Sequence, residues 1–407
     1  MEERKEHTMK GVDASWYEGW DISDEQREKY SNLSKNSYQA KLKAITENKV
    51  GAYQKINTPR LNPKSLMPKL KNNGLRTLSL FSGGGGLDLG FDLAGFKHVA
   101  SYEILDFAAE TIKLNRPKWK VFTGEDGDVT NVSWENYKDQ VDVIHGGPPC
   151  QPFSTAGKQR GKQDVRDMIP EFVRCVREIA PKAFIAENVS GLTSKKFTEY
   201  LNVTLFKPLK KTYDIQMFVL NAASFGVPQI RKRVIFVGIS KNIGIQKTFT
   251  KPDDSHDYSH LKRGKNKIAS PSLFDEVEAD KVKCMGVREA LGLSDIGYDT
   301  IAPTIRCTLT GPRSTTSILS STSAQNVWNS IGIWPNGVQS TREKASAFPT
   351  KNNTFRLSVA DCALLQGFPE DWTFNGPVYK ALGQIGNSVA PPMAYNIAKS
   401  IAQVLKD

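Results

Sequence analysis

The chain has 407 residues, of which 39% are hydrophobic, and its formal net charge is +12. No stretch reaches the ~18 uninterrupted apolar residues of a membrane span, and the charged start "MEERKEHTMK" lacks the apolar core of a signal peptide. Five scattered cysteines without zinc or disulfide spacing predict a reducing, intracellular setting and no metal site. The basic balance favours a polyanionic partner.

Residues 1–73 are predicted to form an N-terminal extension, with a polar helix within residues 22–50. Ten lysines and arginines between positions 35 and 76 are opposed by Glu47 alone, which leaves a local charge of +9. A solvated linker and an arm that contacts phosphates both account for this charge. The stretch "NTPRLNPKSLMP" is typical of a linker punctuated by proline.

From residue 74 onward, short apolar runs alternate with helical segments. This alternation predicts an α/β fold, with a mostly parallel sheet and helices on both faces. In such sheets, ligands bind beyond the C-terminal ends of the strands. One helix is expected over residues 166–179, with Cys175 on its apolar face and therefore in the core. The apolar runs are Leu78–Phe81, His98–Tyr102, Val121–Phe122, Val141–Ile144, Ala183–Ala186, Met217–Leu220 and Val234–Gly238.

A glycine-rich loop follows the first of these runs, where "FSGGGG" places Gly83–Gly86 between a strand and a helix. Glycine lets backbone N–H groups approach a ligand closely, and the helix N-terminus adds positive potential. Glu103 ends the next strand, where an acidic residue commonly binds ribose hydroxyls. The loop lacks the GxGxxG and P-loop patterns, which favours S-adenosylmethionine over a dinucleotide or nucleoside triphosphate. A tight turn beside a solvent-exposed glutamate is the alternative.

The sequence "GGPPCQPFS" places Cys150 after two prolines, which restrict the backbone just before the thiol. Two later motifs are expected at the same edge of the sheet: "ENV" with Glu187, and "QIRKR" with Arg231 and Arg233 at alternate positions. A thiol held near positive charge becomes a useful nucleophile. The set therefore indicates covalent catalysis, with a buried cysteine and an ordinary ion pair as the alternative.

Residues 241–352 interrupt the alternation as a polar, Ser- and Thr-rich insert. The catalytic unit is predicted to span residues 74–240 and to resume over residues 353–407. After Pro391 and Pro392, apolar residues recur every four positions, which predicts a C-terminal helix opened by proline.

These motifs, in this order, resemble the DNA cytosine-5 methyltransferases of bacterial restriction–modification systems. The resemblance covers residues 75–240 and 353–400. It also rests on "GDVT" at 127–130, "RLSVADCALLQGFP" at 356–369 and "GNSVAPP" at 386–392. It implies a Rossmann-like, S-adenosylmethionine-dependent methyltransferase sheet with a smaller target-recognition domain, formed by the insert.

The resemblance implies a role for each catalytic residue. Cys150 would add to C6 of cytosine, and Glu187 would protonate the base at N3. Arg233 would contact the base O2, and Arg231 would support Glu187 and a nearby phosphate. Because the target base cannot be reached in a duplex, it would flip out of the helix.

The resemblance also implies the cofactor and DNA contacts. Around the cofactor, Phe81 would stack near adenine, the glycine loop would contact the methionine part, Glu103 would bind the ribose and Asp128 the adenine amine. The predicted cofactor residues are Phe81, Ser82, Gly83, Gly84, Gly85, Gly86, Glu103, Asp128, Pro149 and Asn387. The predicted DNA contacts are Ser154, Lys158, Gln159, Arg166, Gln229, Arg306 and Arg313.

The implied substrate is double-stranded DNA with a specific short sequence, methylated by a bacterial, cytoplasmic and nucleoid-associated monomer. A cognate restriction endonuclease would act on the same site without a stable complex. A transfer RNA methyltransferase on the same scaffold is the alternative within the family. A non-catalytic DNA-binding module would predict damage to Cys150, Glu187 or the glycine loop, and all are intact.

Overall fold

The computed structural model describes residues 23–47, 53–149, 167–243, 248–261, 281–306, 316–347, 349 and 354–406. The strands are β1 Arg76–Leu80, β2 Lys97–Tyr102, β3 Val121–Phe122, β4 Val143–Gly146, β5 Ala183–Val189, β6 Tyr213–Asn221, β7 Lys232–Ser240, β8 His256–Asp257, β9 Val282–Lys283, β10 Ile333–Gln339 and β11 Phe355–Ser358. The α-helices are α1 Asp24–Thr46, α2 Pro63–Leu66, α3 Gly86–Leu93, α4 Asp106–Asn115, α5 Gly124–Gly127, α6 Ile169–Ile179, α7 Thr198–Leu201, α8 Lys207–Leu209, α9 Val287–Ala290, α10 Thr322–Ser330, α11 Arg342–Ser346, α12 Val359–Gln366, α13 Val378–Asn387 and α14 Pro391–Lys406.

A seven-stranded sheet forms the centre of the fold, with strand order β3-β2-β1-β4-β5-β7-β6. Neighbours from β3 through β5 pair in parallel, whereas β7 runs antiparallel to both β5 and β6. Each predicted apolar run overlaps one of these seven strands. The predicted α/β fold is therefore confirmed, with one reversed strand that the sequence pattern did not indicate.

Both faces of the sheet are covered by buried apolar side chains. Along β5, Phe184 and Ala186 pack in one hydrophobic cluster, and Ile185 packs in the other. This alternation follows from the two-residue period of a strand, which points successive side chains to opposite faces. A fully buried Cys175 lies on α6, as predicted. With both faces covered, the loops at the strand ends are the part of the sheet left to bind ligands.

The termini of several helices are stabilised locally. At the start of α12, the Ser358 hydroxyl and the Asp361 carboxylate cap each other's backbone N–H groups. The predicted C-terminal helix is confirmed as α14, which begins at Pro391 because proline suits the first helical position. Within the described residues, no helix combines the length and apolarity that crossing a membrane requires.

Part of the predicted linker is packed against the fold. Leu61 and Met67 are buried in the larger hydrophobic cluster, and the backbone N–H groups of Arg60 and Leu61 donate to Ala290 O. Asn57 is buried and donates to Leu291 O and to Asp361 Oδ1. This segment is therefore anchored to the fold by its buried residues, whereas its cations Arg60 and Lys64 are exposed. By contrast, none of the residues of α1 is buried.

Candidate active site

The C-terminal end of β5 and the start of β7 bring together the carboxyl group of Glu187 and the guanidinium group of Arg233. In the antiparallel register, Val189 lies opposite Arg233 and Glu187 lies opposite Ile235. Arg233 Nε lies 2.8 Å from Glu187 Oε1. The approach is that of an ion pair rather than of a well-aligned hydrogen bond, because Glu187 Oε1 accepts none from the described residues. Glu187 and Arg233 therefore lie at the same edge of the sheet, as expected from the sequence.

The backbone before Cys150 lies directly against this ion pair. Strands β4 and β5 pair in parallel with Gly146 opposite Ala186, so the next residues of both strands leave the sheet side by side. A Cβ atom on Gly147 would lie 3.0 Å from Glu187 Oε2. Glycine at this position therefore lets the carboxylate pack on the "GGPP" backbone. Cys150 itself lies outside the described residues, as do Ser154, Lys158, Gln159, Arg166 and Arg313.

Asn188 fixes the proline turn relative to Glu187. Its Nδ2 atom donates to Pro148 O at 3.1 Å, and its Oδ1 atom accepts from Val189 N at 2.8 Å. Asn188 is buried, so loss of its amide would leave the Pro148 carbonyl without this partner. The motif "ENV" therefore supplies the acid Glu187, and its next residue, Asn188, holds the backbone at Pro148 just before Cys150.

The environment of Glu187 favours its protonated form. Burial raises the pKa of Glu187, and the positive charges of Arg233 and Arg231 oppose this increase. A carboxyl group with a raised pKa can donate a proton to a bound base nearer neutral pH than an exposed carboxyl group can. The ion pair therefore holds the acid in place and limits how far its pKa rises.

The glycine loop lies between β1 and α3 in a conformation that larger residues disfavour. Gly83 and Gly85 both have positive φ angles, of 53° and 80°. Trp372 packs against the loop, and its Nε1 atom donates to Gly84 O at 3.1 Å. A Cβ atom on Gly85 would approach the Trp372 ring to 2.7 Å, and one on Gly86 would overlap the carbonyl of Val389. The loop is thus packed against the "GNSV" turn.

Glu103 lies at the end of β2 and contacts the same loop. Its carboxylate accepts from Gly83 N at 2.6 Å and from Leu105 N at 2.9 Å. Burial raises the pKa of Glu103 to about 7, although these two donors lower it. A carboxylate has about four acceptor positions, so two remain for hydroxyl groups of a ligand. Glu103 is buried and backbone-bonded, which excludes the alternative of a solvent-exposed side chain.

The other predicted cofactor residues border this loop in different ways. Phe81 is half-buried with φ at 54°, a left-handed conformation that is uncommon outside glycine. The Ser82 and Ser79 hydroxyl groups lie 2.8 Å apart. Asp128 is buried and accepts from Thr130 N at 3.0 Å. Asn387 is exposed at the end of α13, and Pro149 is half-buried after β4.

A family model for the C-5 cytosine-specific DNA methylases matches residues 75–403. The chain belongs to this family. It is therefore a DNA cytosine-5 methyltransferase, and the match favours DNA over transfer RNA as its substrate.

Named relatives cover most of the methylase. It is 35% identical to the Type II methyltransferase M.NgoMIV of Neisseria gonorrhoeae over 331 residues, which are 81% of this chain and 98% of the relative. It is 31% identical to the Type II methyltransferase M.Eco47II of Escherichia coli over 359 residues, which are 83% of this chain and 81% of the relative. A crystal structure from E. coli, described as a prophage-encoded DNA modification methyltransferase, superposes with a TM-score of 0.53 and 23% identity. It covers 82% of this chain and all of that chain, and supports the fold.

Two residues of "QIRKR" in the methylase have internal partners that the sequence analysis did not anticipate. Gln229 is fully buried, and its amide bonds Leu365 O, Gln366 Oε1 and Ile305 N. Arg231 is also fully buried and donates to the carbonyl groups of Gly386 and Ser388. Gln229 therefore has no free polar atom for DNA, and Arg231 is not placed to reach a phosphate. Arg306, by contrast, is exposed.

Three residues of the methylase site were given no role by the sequence analysis. Asn188 lies within "ENV" and bonds Pro148, while Trp372 follows "RLSVADCALLQGFP" and contacts the glycine loop. Asn115 forms a reciprocal pair of hydrogen bonds with the Thr373 backbone, which holds the Trp372 segment against α4. Each contact joins segments far apart in the chain, so no local pattern indicates it.

Proposed function

We propose that the methylase transfers a methyl group from S-adenosylmethionine to C5 of a flipped-out cytosine in duplex DNA, through a transient bond between Cys150 Sγ and C6. The observation that supports this most directly is the buried Glu187. Its carboxylate packs against Gly147, three residues before Cys150, and pairs with Arg233 at 2.8 Å. Glu187, Arg233 and the backbone segment that leads to Cys150 thus lie at one edge of the sheet.

The chemistry follows from these positions. The Cys150 thiolate adds to C6, the π electrons of the C5–C6 bond move to the C4–C5 bond, and those of the C4–N3 bond move to N3. Glu187 donates a proton to N3, which prevents negative charge from building up in the ring. Arg233 donates to the base O2 and holds Glu187 in position. The ring then has an enamine-like C5 that acts as a nucleophile.

When bound, S-adenosylmethionine supplies the electrophilic methyl group that C5 takes up. A base in the site then removes the C5 proton, and that electron pair restores the C5–C6 bond. The thiolate of Cys150 leaves C6, and N3 returns its proton to Glu187. Once the base has passed the C5 proton to solvent, the protein has the protonation states with which it began.

The residues around the glycine loop fit this cofactor. The loop has no side chains to occupy the space above its backbone, and Glu103 retains acceptor positions for two ribose hydroxyl groups. Asn387 presents an exposed amide beside the turn that packs on Gly86. Asp128 follows Gly127, which packs on the Glu103 backbone, so these two carboxylates lie on neighbouring segments.

We further propose that the methylase is the modification enzyme of a restriction–modification system. Its relatives are called Type II methyltransferases, a term used for such enzymes. Its DNA contacts would include Ser154, Lys158, Gln159 and Arg166, and a reading segment that contains Arg306 and Arg313. The last two could bond the O6 and N7 edge of guanine.

A covalent trap tests the proposal. Bisulfite sequencing of plasmid DNA from cells that express the methylase first identifies the methylated site. A duplex with 5-fluorocytosine at that site, incubated with enzyme and S-adenosylmethionine, is then expected to yield an adduct, because fluorine blocks removal of the C5 proton. Peptide mass spectrometry is expected to locate the adduct at Cys150, and Cys150→Ser to bind DNA without forming it. An adduct on another residue would overturn the mechanism.

A further inference from the structure

Residues 228–231 are hydrogen-bonded to residues 302–305, which lead into the proposed DNA-reading segment at Arg306. Ile230 N donates to Ala302 O, and Ala302 N donates to Pro228 O, both at 2.9 Å. Two side chains then hold the next backbone unit. Gln229 Oε1 accepts from Ile305 N at 3.1 Å, and Arg231 Nη1 donates to Ile305 O at 3.4 Å. Ile305 immediately precedes the exposed Arg306, so the position of the Ile305 backbone sets the position of the Arg306 backbone.

The same two side chains also reach the turn that contains Asn387. Arg231 Nη2 donates to Gly386 O at 2.7 Å and to Ser388 O at 2.6 Å. One guanidinium group therefore bonds the carbonyl groups on both sides of Asn387. Gln229 reaches this turn through one intermediate: its Nε2 atom donates to Gln366 Oε1 at 2.8 Å, and Gln366 Nε2 donates to Ser388 O at 2.7 Å.

This network resists rearrangement because it is buried. Gln229, Arg231 and Gln366 are each fully buried, so no water can replace a lost protein partner without entering the core. A buried guanidinium group whose carbonyl partners move away would be left without compensation for its charge. The turn at Asn387 and the segment at Ile305 are therefore both held by the buried side chains of Gln229, Arg231 and Gln366.

We propose that Gln229 and Arg231 are positioning residues that join the cofactor turn at Asn387 to the start of the DNA-reading segment at Arg306. Neither touches cofactor or DNA, and both set the affinity for these ligands through the backbone that they hold. The inference rests on the proposed function, which assigns the cofactor to Asn387 and DNA to Arg306. Arg231 bonds the backbone of both segments directly. Gln229 bonds the reading segment directly and reaches the cofactor turn through Gln366.

Arg231→Lys tests this role, because lysine keeps the charge and loses the fork whose two terminal nitrogens bond the Asn387 turn and Ile305 O. Arg288→Lys is the matched control. Arg288 is also a buried arginine bonded to backbone carbonyl groups, those of Ile331 and Ser294, but it touches neither the Asn387 turn nor Ile305 among the described residues. Binding of S-adenosylmethionine without DNA would be measured by calorimetry, and binding of the cognate duplex by fluorescence anisotropy.

We expect Arg231→Lys to weaken S-adenosylmethionine binding about tenfold, which corresponds to one lost hydrogen bond, and Arg288→Lys to leave it within about twofold. Gln229→Met, which keeps the volume and removes the amide, is expected to weaken DNA binding more than cofactor binding. Equal cofactor affinity in Arg231→Lys and the wild-type enzyme would overturn the role of Arg231, and an equal loss of both ligands in Gln229→Met would overturn that of Gln229. A wild-type enzyme that does not bind S-adenosylmethionine would instead overturn the proposed function, and this inference with it.

Discussion

Glu187 and Arg233 form an ion pair across the antiparallel strands β5 and β7, with 2.8 Å between Oε1 and Nε and with side chains that are 8% and 12% exposed. Their burial makes the pair sensitive to the loss of either member, because the remaining buried charge would lose the opposite charge beside it. The pair also links pH to catalysis. Burial raises the pKa of Glu187, and Arg233 is the first of the two cations that lower it.

The first prediction concerns this link. Since Glu187 must be protonated to act as an acid, the single-turnover rate should fall as pH rises through its raised pKa. Arg233→Gln removes a charge that lowers the pKa of Glu187, so this fall should move to higher pH. The maximal rate should also drop, by about 10²-fold or more, as for loss of a transition-state donor. Lys232→Gln, at the exposed neighbouring position, is the control and should leave the pH profile unchanged. An unshifted profile in Arg233→Gln would argue against Glu187 as the acid.

The second prediction concerns the contact between Asn188 and Pro148. Asn188→Ala leaves a buried carbonyl group without its donor, at a cost of about 1–3 kcal/mol. If that contact orients the proline turn before Cys150, the rate of methyl transfer should fall about 5- to 150-fold, the equivalent of this energy. DNA affinity should change little, because Asn188 is buried at the end of β5. Single-turnover methylation and gel-shift titration measure the two effects, and a loss of DNA affinity with an unchanged rate would contradict the prediction.

The sheet and its acid were predictable because both arise from local patterns. Short apolar runs indicate buried strands, and Glu187 follows such a run directly, which places it at the end of a strand. The reversal of β7 was not predictable in the same way. An apolar run has no direction, so a parallel and an antiparallel neighbour look alike until the partners are known.

The misassignment of Gln229 has a related cause. The resemblance implies a DNA contact for Gln229, and alternate positions on an extended chain place it on the same side as Arg231 and Arg233. The two-residue repeat of an extended chain does not indicate whether the shared side faces solvent or another part of the protein. Gln229 faces Leu365, 136 residues further along the chain, and Ile305, 76 residues further along. Contacts over such separations follow from tertiary packing, as does the bond between Trp372 and Gly84.

The third prediction concerns the glycine loop. At Gly85 an alanine would adopt a disfavoured positive φ, at a cost of about 1–2 kcal/mol, and its Cβ would press on the Trp372 ring at 2.7 Å. Gly83 also has a positive φ but meets no atom within 4 Å, whereas Gly191 is in open space with an ordinary φ. The affinity for S-adenosylmethionine should therefore fall most in Gly85→Ala, less in Gly83→Ala and not measurably in Gly191→Ala. Calorimetric titration of the three variants would reveal any other order.

The fourth prediction concerns the stability of the cofactor-free protein. Burial raises the pKa of Glu103 to about 7 in the folded state, whereas an unfolded chain returns it to the ordinary value of about 4.3. The folded protein thus holds this proton more tightly, and the stabilisation is complete below the ordinary value and is lost as pH rises through about 7. Urea unfolding at pH 5 and pH 8 should show a lower free energy of unfolding at pH 8, with about 1–3 kcal/mol of the difference due to Glu103. Glu103→Gln should remove that part of the slope, whereas Glu110→Gln, on the exposed side of α4, should not. An equal slope in Glu103→Gln and the wild-type enzyme would show that the carboxyl group at this position does not titrate as its buried environment requires.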